Sequence, residues 1–424
     1  MNITLAFGKS GLLARIPDTT PVHVLSMAGA PPVEDAGAAL RSLLARPIGS
    51  APLSDLCRAR KSACIVLCDI TRPVPNAILL PPLLETVEAS GIPRERITLL
   101  IATGLHRPST AAEREQIVGP DILARYRIVD HHAREESEQR FLGTTGRGTP
   151  VAIDRVYCDA ELKITTGFIE PHLMAGFSGG RKLIAPGCAG EATIKALHSP
   201  AFLEHPSCRE GSIDANVLHH ELLEISRMAG HDFIVNVALN EEHRITGLFA
   251  GDPLQAHAAG VAFVRKAVRA PLEKPADIVI TTSAGYPLDL TYYQAVKGMT
   301  GALPAVRKGG VLILAAECAE GLGSPEFTDM ATSFSSAEAF TAHILSSPIV
   351  IDQWQLEECT RAVRHADVLL VSPRIARDHA GQLFVHAVPT MDEALALAFS
   401  RTGPRATVAV IPKGPYTLVE AATP

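Results

Sequence analysis

The residues best equipped for chemistry gather in one stretch, 167–200, GFIEPHLMAGFSGGRKLIAPGCAGEATIKALHSP. It holds His172, Lys182 and His198 around a glycine turn, Ser178-Gly179-Gly180-Arg181. Adjacent glycines let a backbone turn several N–H groups toward an anion, and Arg181 adds a planar fork suited to phosphate. Lys182, at the rim of that nest, is placed either to pair with an anion or to act as a nucleophile. His198 closes a short helical pattern from Glu191 and reads either as a metal ligand or as a histidine favoured by the helix dipole. The turn lacks GxxxxGK[ST], so it is not a P-loop.

Two upstream segments add to this set. The apolar run ACIVLCD leads into DITRPVP, placing Asp69, Ile70, Thr71 and Arg72 where a strand ends, with Pro73 and Pro75 stiffening the turn. The next run, ITLLIAT, leads into GLHRP and delivers His106 to the same edge. LKITTGF does likewise for His172. Two histidines near their neutral-pH switch can each serve as acid or base. On opposite faces of one carbon they suit a reaction whose substrate and product are mirror images. Further on, Gln294 and Lys297 are three apart on one helical face, with Tyr293 adjacent. Together they suit a small anionic ligand. Trp354, the only tryptophan, reads as packing, and the tandem pairs His131-His132 and His219-His220 read as surface.

The elements that must position these groups are short apolar strands without alternation, spaced by helical segments such as 76–91. That pattern predicts an α/β fold with mainly parallel sheets covered on both faces, binding ligands at strand carboxyl ends. The 424 residues exceed one ordinary core. Two mainly parallel α/β domains are expected, 1–270 for catalysis and 271–424, with 269–277 (RAPLEKPAD) as a hinge and the active site in the cleft between them. The last segment, 406–424, is either the final strand of the second domain or packs back on the first. A net charge of −6 argues against nucleic acid as a partner, and no apolar run is long enough to span a bilayer. Eight scattered cysteines without a CxxC pair, and no secretory leader, point to the cytoplasm.

The motifs DITRP, GLHR, EPHLMAGFSGGRKLIAPG, TIKALHS and YYQAVKGM span both halves of the chain. Through them the sequence resembles the nickel-dependent lactate racemases and their relatives, racemases and epimerases of 2-hydroxyacids. The resemblance implies a nickel-pincer nucleotide, a pyridinium bearing two thiocarboxyl groups and a ribose phosphate, tethered to Lys182. It implies His198 as the nickel ligand, and His106 and His172 as alternating acid and base. Asp69 to Arg72, Ser178 to Arg181 and Trp354 would contact the cofactor, and Tyr293, Gln294 and Lys297 the substrate. Reversible hydride transfer from C2 of a lactate-like acid to the pyridinium would give a planar 2-keto acid, and return to its other face would invert configuration. Enzymes that build the cofactor would be needed to load it.

Two other enzyme classes are open on residue types. A nicotinamide-dependent dehydrogenase requires GxGxxG after a strand with an acidic residue beyond it, and neither occurs in that context. A zinc hydrolase using His106, His172 and His198 leaves Lys182 and the glycine turn without a role.

Overall fold

A computed structural model describes residues 1–379 and 381–421. The chain forms two compact units, one built from 29–198 and 207–265, the other from 1–28, 199–206 and the chain from Lys266 onward.

The unit of residues 29–265 is organised by a six-stranded sheet. Its strand order is Ile245–Gly251, Phe233–Leu239, Leu162–Phe168, Ala63–Cys68, Ile97–Ala102, Arg127–Asp130. Every neighbouring pair is parallel except Phe233–Leu239 with Ile245–Gly251. Ala63–Cys68 is buried at every position, which is why its sequence shows no alternation. Helix Asn76–Ala89 covers it with Leu79, Leu80, Leu83, Leu84 and Val87. From Ala63–Cys68 the chain winds outward through Ile97–Ala102 and Arg127–Asp130, then crosses back to Leu162–Phe168. The winding therefore reverses between Ala63–Cys68 and Leu162–Phe168, the position where open α/β sheets bind ligands. Register keeps the two strands level, with Ala63 opposite Leu162 and Val66 opposite Thr165. Asp69 and the segment carrying His172 leave the sheet on either side of that reversal.

The other unit has an all-parallel six-stranded sheet, ordered His386–Val388, Asp367–Val371, Val306–Ala315, Ala276–Thr282, Val408–Ile411, Val22–Val24. Two sequence expectations are corrected here and one open alternative is resolved. Residues 1–28 do not belong with the first α/β unit, because Val22–Val24 finds its ladder partner in Val408–Ile411. Residues 269–277 are not a hinge: Arg269–Leu272 is a strand paired with Leu418–Ala421, and Ala270 and Leu272 are buried. Val408–Ile411 does not pack back on the first unit, because it pairs on both sides within the second sheet. The end of the expected segment, 422–424, lies outside the described residues. Among the described residues no helix is long and apolar enough to cross a membrane.

Candidate active site

Three groups at the carboxyl edge of the first unit's sheet form a local network. The Asp69 Oδ2 lies 2.7 Å from His106 Nδ1, and the Thr71 hydroxyl donates to Asp69 Oδ1 at 2.6 Å. Burial raises the Asp69 pKa, but hydrogen bonds from His106 and Thr71 and the charges of His106 and Arg72 outweigh it, leaving it below its ordinary range. An ionised carboxylate only accepts, so His106 carries its hydrogen on Nδ1 and presents a lone pair at Nε2. The turn holding Asp69 is closed by Arg72 N–H donating to the Asp69 carbonyl at 3.1 Å, and the His106 N–H donates to the Thr103 carbonyl at 2.9 Å. Replacing Asp69 with Asn is expected to lower turnover on the order of 10²-fold with the fold intact, because the amide admits the other tautomer. Initial rates beside a far-ultraviolet circular dichroism spectrum check it.

His172 sits on a two-stranded hairpin, Pro171–His172 against Gly176–Phe177. Its Nδ1 lies 3.3 Å from the backbone N–H of both Met174 and Ala175, and its Nε2 lies 3.0 Å from Lys182 Nζ. Gly176 closes the hairpin at φ +78°, and a Cβ there would stand 1.8 Å from the Ser212 carbonyl oxygen. Gly176→Ala is expected to cost at least about 1–3 kcal/mol, read as a lowered urea midpoint.

The glycine turn differs from the anion nest expected of it. The Ser178 N–H donates to the Glu170 carbonyl at 2.9 Å, the Gly180 N–H to Asn236 Oδ1 at 2.9 Å and the Lys182 N–H to the Gly179 carbonyl at 3.2 Å. Arg181 is only 2 % exposed and points inward, its Nη2 donating to the Ala175 carbonyl at 2.9 Å and its Nη1 to His257 Nε2 at 2.8 Å. The fork is spent on protein partners. Nothing in the sequence near Arg181 announces His257, which arrives from helix Gln255–Val268.

His198 caps helix Glu191–Leu197, and its Nδ1 donates to the Ile194 carbonyl at 2.8 Å. Burial pushes its pKa down to about 4, so it is neutral at pH 7. A neutral imidazole gains nothing from the helix dipole, whereas Nδ1–H leaves the Nε2 lone pair that metal coordination needs.

The tandem histidines are not all surface residues. His131 is 1 % exposed, with Nδ1 on Asp154 and Nε2 on the Ala189 carbonyl, and His219 is likewise buried, stacked 6.4 Å from His257. Burial, with the Arg181 charge, holds His219 at a pKa of about 3 and His257 well below its ordinary value. Both stay neutral in the fold and become charged in the unfolded chain below its pKa of about 6.5. Their stabilisation is complete above that pH and is lost as pH falls toward the folded values. Each is expected to cost about 1.4 kcal/mol per pH unit below 6.5, so the urea midpoint should drop between pH 6.5 and 5.

The remaining expected residues lie in the other unit. Gln294 and Lys297 share a face of helix Tyr292–Ala302, the Lys297 Nζ donating to Gln294 Oε1 at 2.7 Å. That helix follows Ala276–Thr282, where the second sheet's winding reverses toward Val408–Ile411. The Trp354 Nε1–H donates to the Tyr293 hydroxyl at 3.3 Å, and the Gln355 side chain donates to the Tyr293 carbonyl at 2.8 Å. Trp354 is nearly buried and braces Tyr293. Burial and the nearby Asp352 charge raise the Tyr293 phenol, so it remains a hydrogen-bond donor at neutral pH. Gln355 and Asp352 carried no sequence signal beyond their closeness to Trp354.

Among the described residues no three His, Cys, Asp or Glu side chains are gathered to hold a metal. His106, His172 and His198 therefore do not form the three-ligand set a zinc hydrolase requires.

A carboxylate-braced histidine, a second histidine and a lysine thus lie at the reversal point of a parallel sheet, where open α/β folds bind ligands. Residues 7–211 match the lactate racemase N-terminal domain and residues 272–419 the lactate racemase C-terminal domain. Lactate racemase of Thermoanaerobacterium thermosaccharolyticum is 35% identical over 426 residues, covering 99% of each chain. That of Lactiplantibacillus plantarum is 38% identical over 380 residues, 89% of each. The lactate racemase apoprotein structure from T. thermosaccharolyticum matches with a TM-score of 0.93 at 34% identity, over 99% of this chain and 100% of that one. A Thermotoga maritima protein shares the fold, with a TM-score of 0.69 at 17% identity over 91% of this chain and 98% of its own. The chain belongs to the lactate racemase family, a family of isomerases.

Proposed function

We propose that this chain racemises a small 2-hydroxyacid of the lactate type, using His106 and His172 as proton partners and a nickel-pincer nucleotide attached to Lys182. The observation that carries the reading is the geometry of the first unit's edge: Asp69 holds His106 with Nε2 open to a substrate proton, and Lys182 lies beside His172. Family membership makes lactate the first acid to test.

The residues present fit the cofactor. His198 is neutral, the protonation state a soft divalent metal takes, and its Nδ1–H is anchored to the Ile194 carbonyl. His198 would hold the nickel and Lys182 would form the attachment. Asp69, Ile70, Thr71 and Arg72 would border the group, as would Ser178, Gly179, Gly180 and Trp354. Arg181 is withdrawn from that role by its inward bonds. When bound, the group supplies a reversible acceptor for the hydride on C2.

The chain's own residues manage the proton. His106 Nε2 takes the substrate hydroxyl proton, and the Asp69 carboxylate steadies the resulting imidazolium. His172 returns a proton to the alkoxide of the opposite enantiomer. Gln294 and Lys297 are assigned the substrate carboxylate, with Tyr293 beside them. Cofactor-building enzymes are the partners needed for loading.

The test is co-expression with those enzymes, followed by intact mass, metal content and a chiral assay. A covalent adduct on the Lys182 peptide, about one nickel per chain and conversion of either lactate enantiomer are expected. No adduct and no nickel beside a loaded control would overturn the reading. An adduct without lactate turnover would move the search to other 2-hydroxyacids.

A further inference from the structure

His172 and His106 meet opposite kinds of partner at Nδ1, backbone donors in one and a carboxylate in the other. The neutral imidazole has one N–H and one lone pair. Two backbone donors, Met174 N–H and Ala175 N–H, converge on His172 Nδ1 at 3.3 Å, so that atom is the acceptor and the hydrogen sits on Nε2. In His106 the Asp69 carboxylate fixes the reverse arrangement.

The turn supplying those two donors is clamped from both sides. Arg181 Nη2 donates to the Ala175 carbonyl at 2.9 Å, while Nη1 is held by His257. Asn216, fully buried, donates from Nδ2 to the Met174 carbonyl at 2.8 Å. Met174 C=O and Ala175 N–H belong to the same peptide group, so the bond from Asn216 polarises the very N–H that faces His172. Asn216 is anchored in turn, because its Oδ1 accepts the His219 N–H at 3.0 Å as the cap of helix Val217–Ala229. Arg181 makes no ion pair among the described residues, and its Nε has no hydrogen-bond partner. A buried guanidinium kept without a carboxylate is explained by what it holds.

We propose that Arg181 and Asn216 are positioning residues that lock the Met174–Ala175 turn and thereby keep the hydrogen of His172 on Nε2. The two neutral rings then rest with their hydrogens on opposite nitrogens, Nδ1 in His106 and Nε2 in His172. Lys182 Nζ lies 3.0 Å from that Nε2. The proposal rests on His172 being an acid–base residue, but it concerns the free chain and needs neither cofactor nor turnover to be tested.

The experiment is long-range ¹H–¹⁵N correlation on the full-length apoprotein labelled with ¹⁵N-histidine at neutral pH. Signals are assigned by their loss in H106Q and H172Q. The wild type is expected to show Nε2–H for His172 and Nδ1–H for His106. In Arg181→Met the pure Nε2–H pattern of His172 should be lost, with Nδ1–H appearing, while His106 is unmoved. Arg181→Lys, which keeps one donor for the Ala175 carbonyl, should restore much of it. Should Arg181→Met fail to fold, Asn216→Ser retains a capping oxygen but loses the amide donor, and should show the same change. Nδ1–H on His172 in the wild type, or an unchanged pattern in a folded variant, would overturn the proposal. Either result leaves the racemase reading to its own mass and chiral assays.

Discussion

His106→Gln is expected to reduce racemisation by roughly 10²- to 10⁴-fold, the range a positioned acid–base group contributes. His106 is mostly exposed, its side chain 60% accessible, so its removal opens no cavity and costs the core little. What is lost is an Nε2 lone pair aimed outward by the 2.7 Å contact with Asp69. Glutamine fills similar space but cannot take a proton near neutral pH. Enantiomers have equal free energy, so the equilibrium constant is one and kcat/KM must fall equally in both directions. The check is a chiral assay started from each enantiomer, with adduct mass and nickel measured on the same sample. A loaded variant retaining activity within tenfold of wild type would remove His106 from the mechanism.

The second large effect is all-or-none. Lys182→Ala should abolish covalent attachment, seen as the unmodified mass after co-expression with the loading enzymes. Lys182 follows a fully formed turn whose backbone bonds remain in the variant, including its own N–H to the Gly179 carbonyl. The fold should therefore survive, and the variant separates loss of tether from loss of structure. Lys163, on the strand Leu162–Phe168, serves as an internal control because its peptide should stay unmodified throughout. An adduct retained on any residue of the Lys182→Ala chain would disprove the attachment site.

The candidate site's edge was legible because it depends on strand ends. ACIVLC and LKITTGF are apolar on both faces, so the residues following them had to emerge at the sheet's carboxyl edge. Asp69, His106 and His172 were placed at that edge in this way. Partner choice was not legible, because it is settled far along the chain. Arg181 beside two glycines has the local look of an anion fork, yet its direction is set by His257, 76 residues away. His131 beside His132 looks solvent-facing, and only Asp154 and Ala189 arriving from elsewhere make burial affordable. The prolines at 271 and 275 suggested a linker, but proline is compatible with the short strand Arg269–Leu272, which has a ladder partner on one side.

The pairing of Val22–Val24 with Val408–Ile411 also bears on how the polypeptide is made. Translation delivers Val22–Val24 early and its neighbour Val408–Ile411 almost last. The sheet centred on Ala63–Cys68 draws all its strands from residues before 266, so it can close on the ribosome while the opening segment still waits. Until Val408 emerges, Val22–Val24 has no ladder partner and the second sheet lacks its rim. A nascent chain arrested between residues 266 and 408 carries one finished body and an N-terminal strand still without its ladder partner.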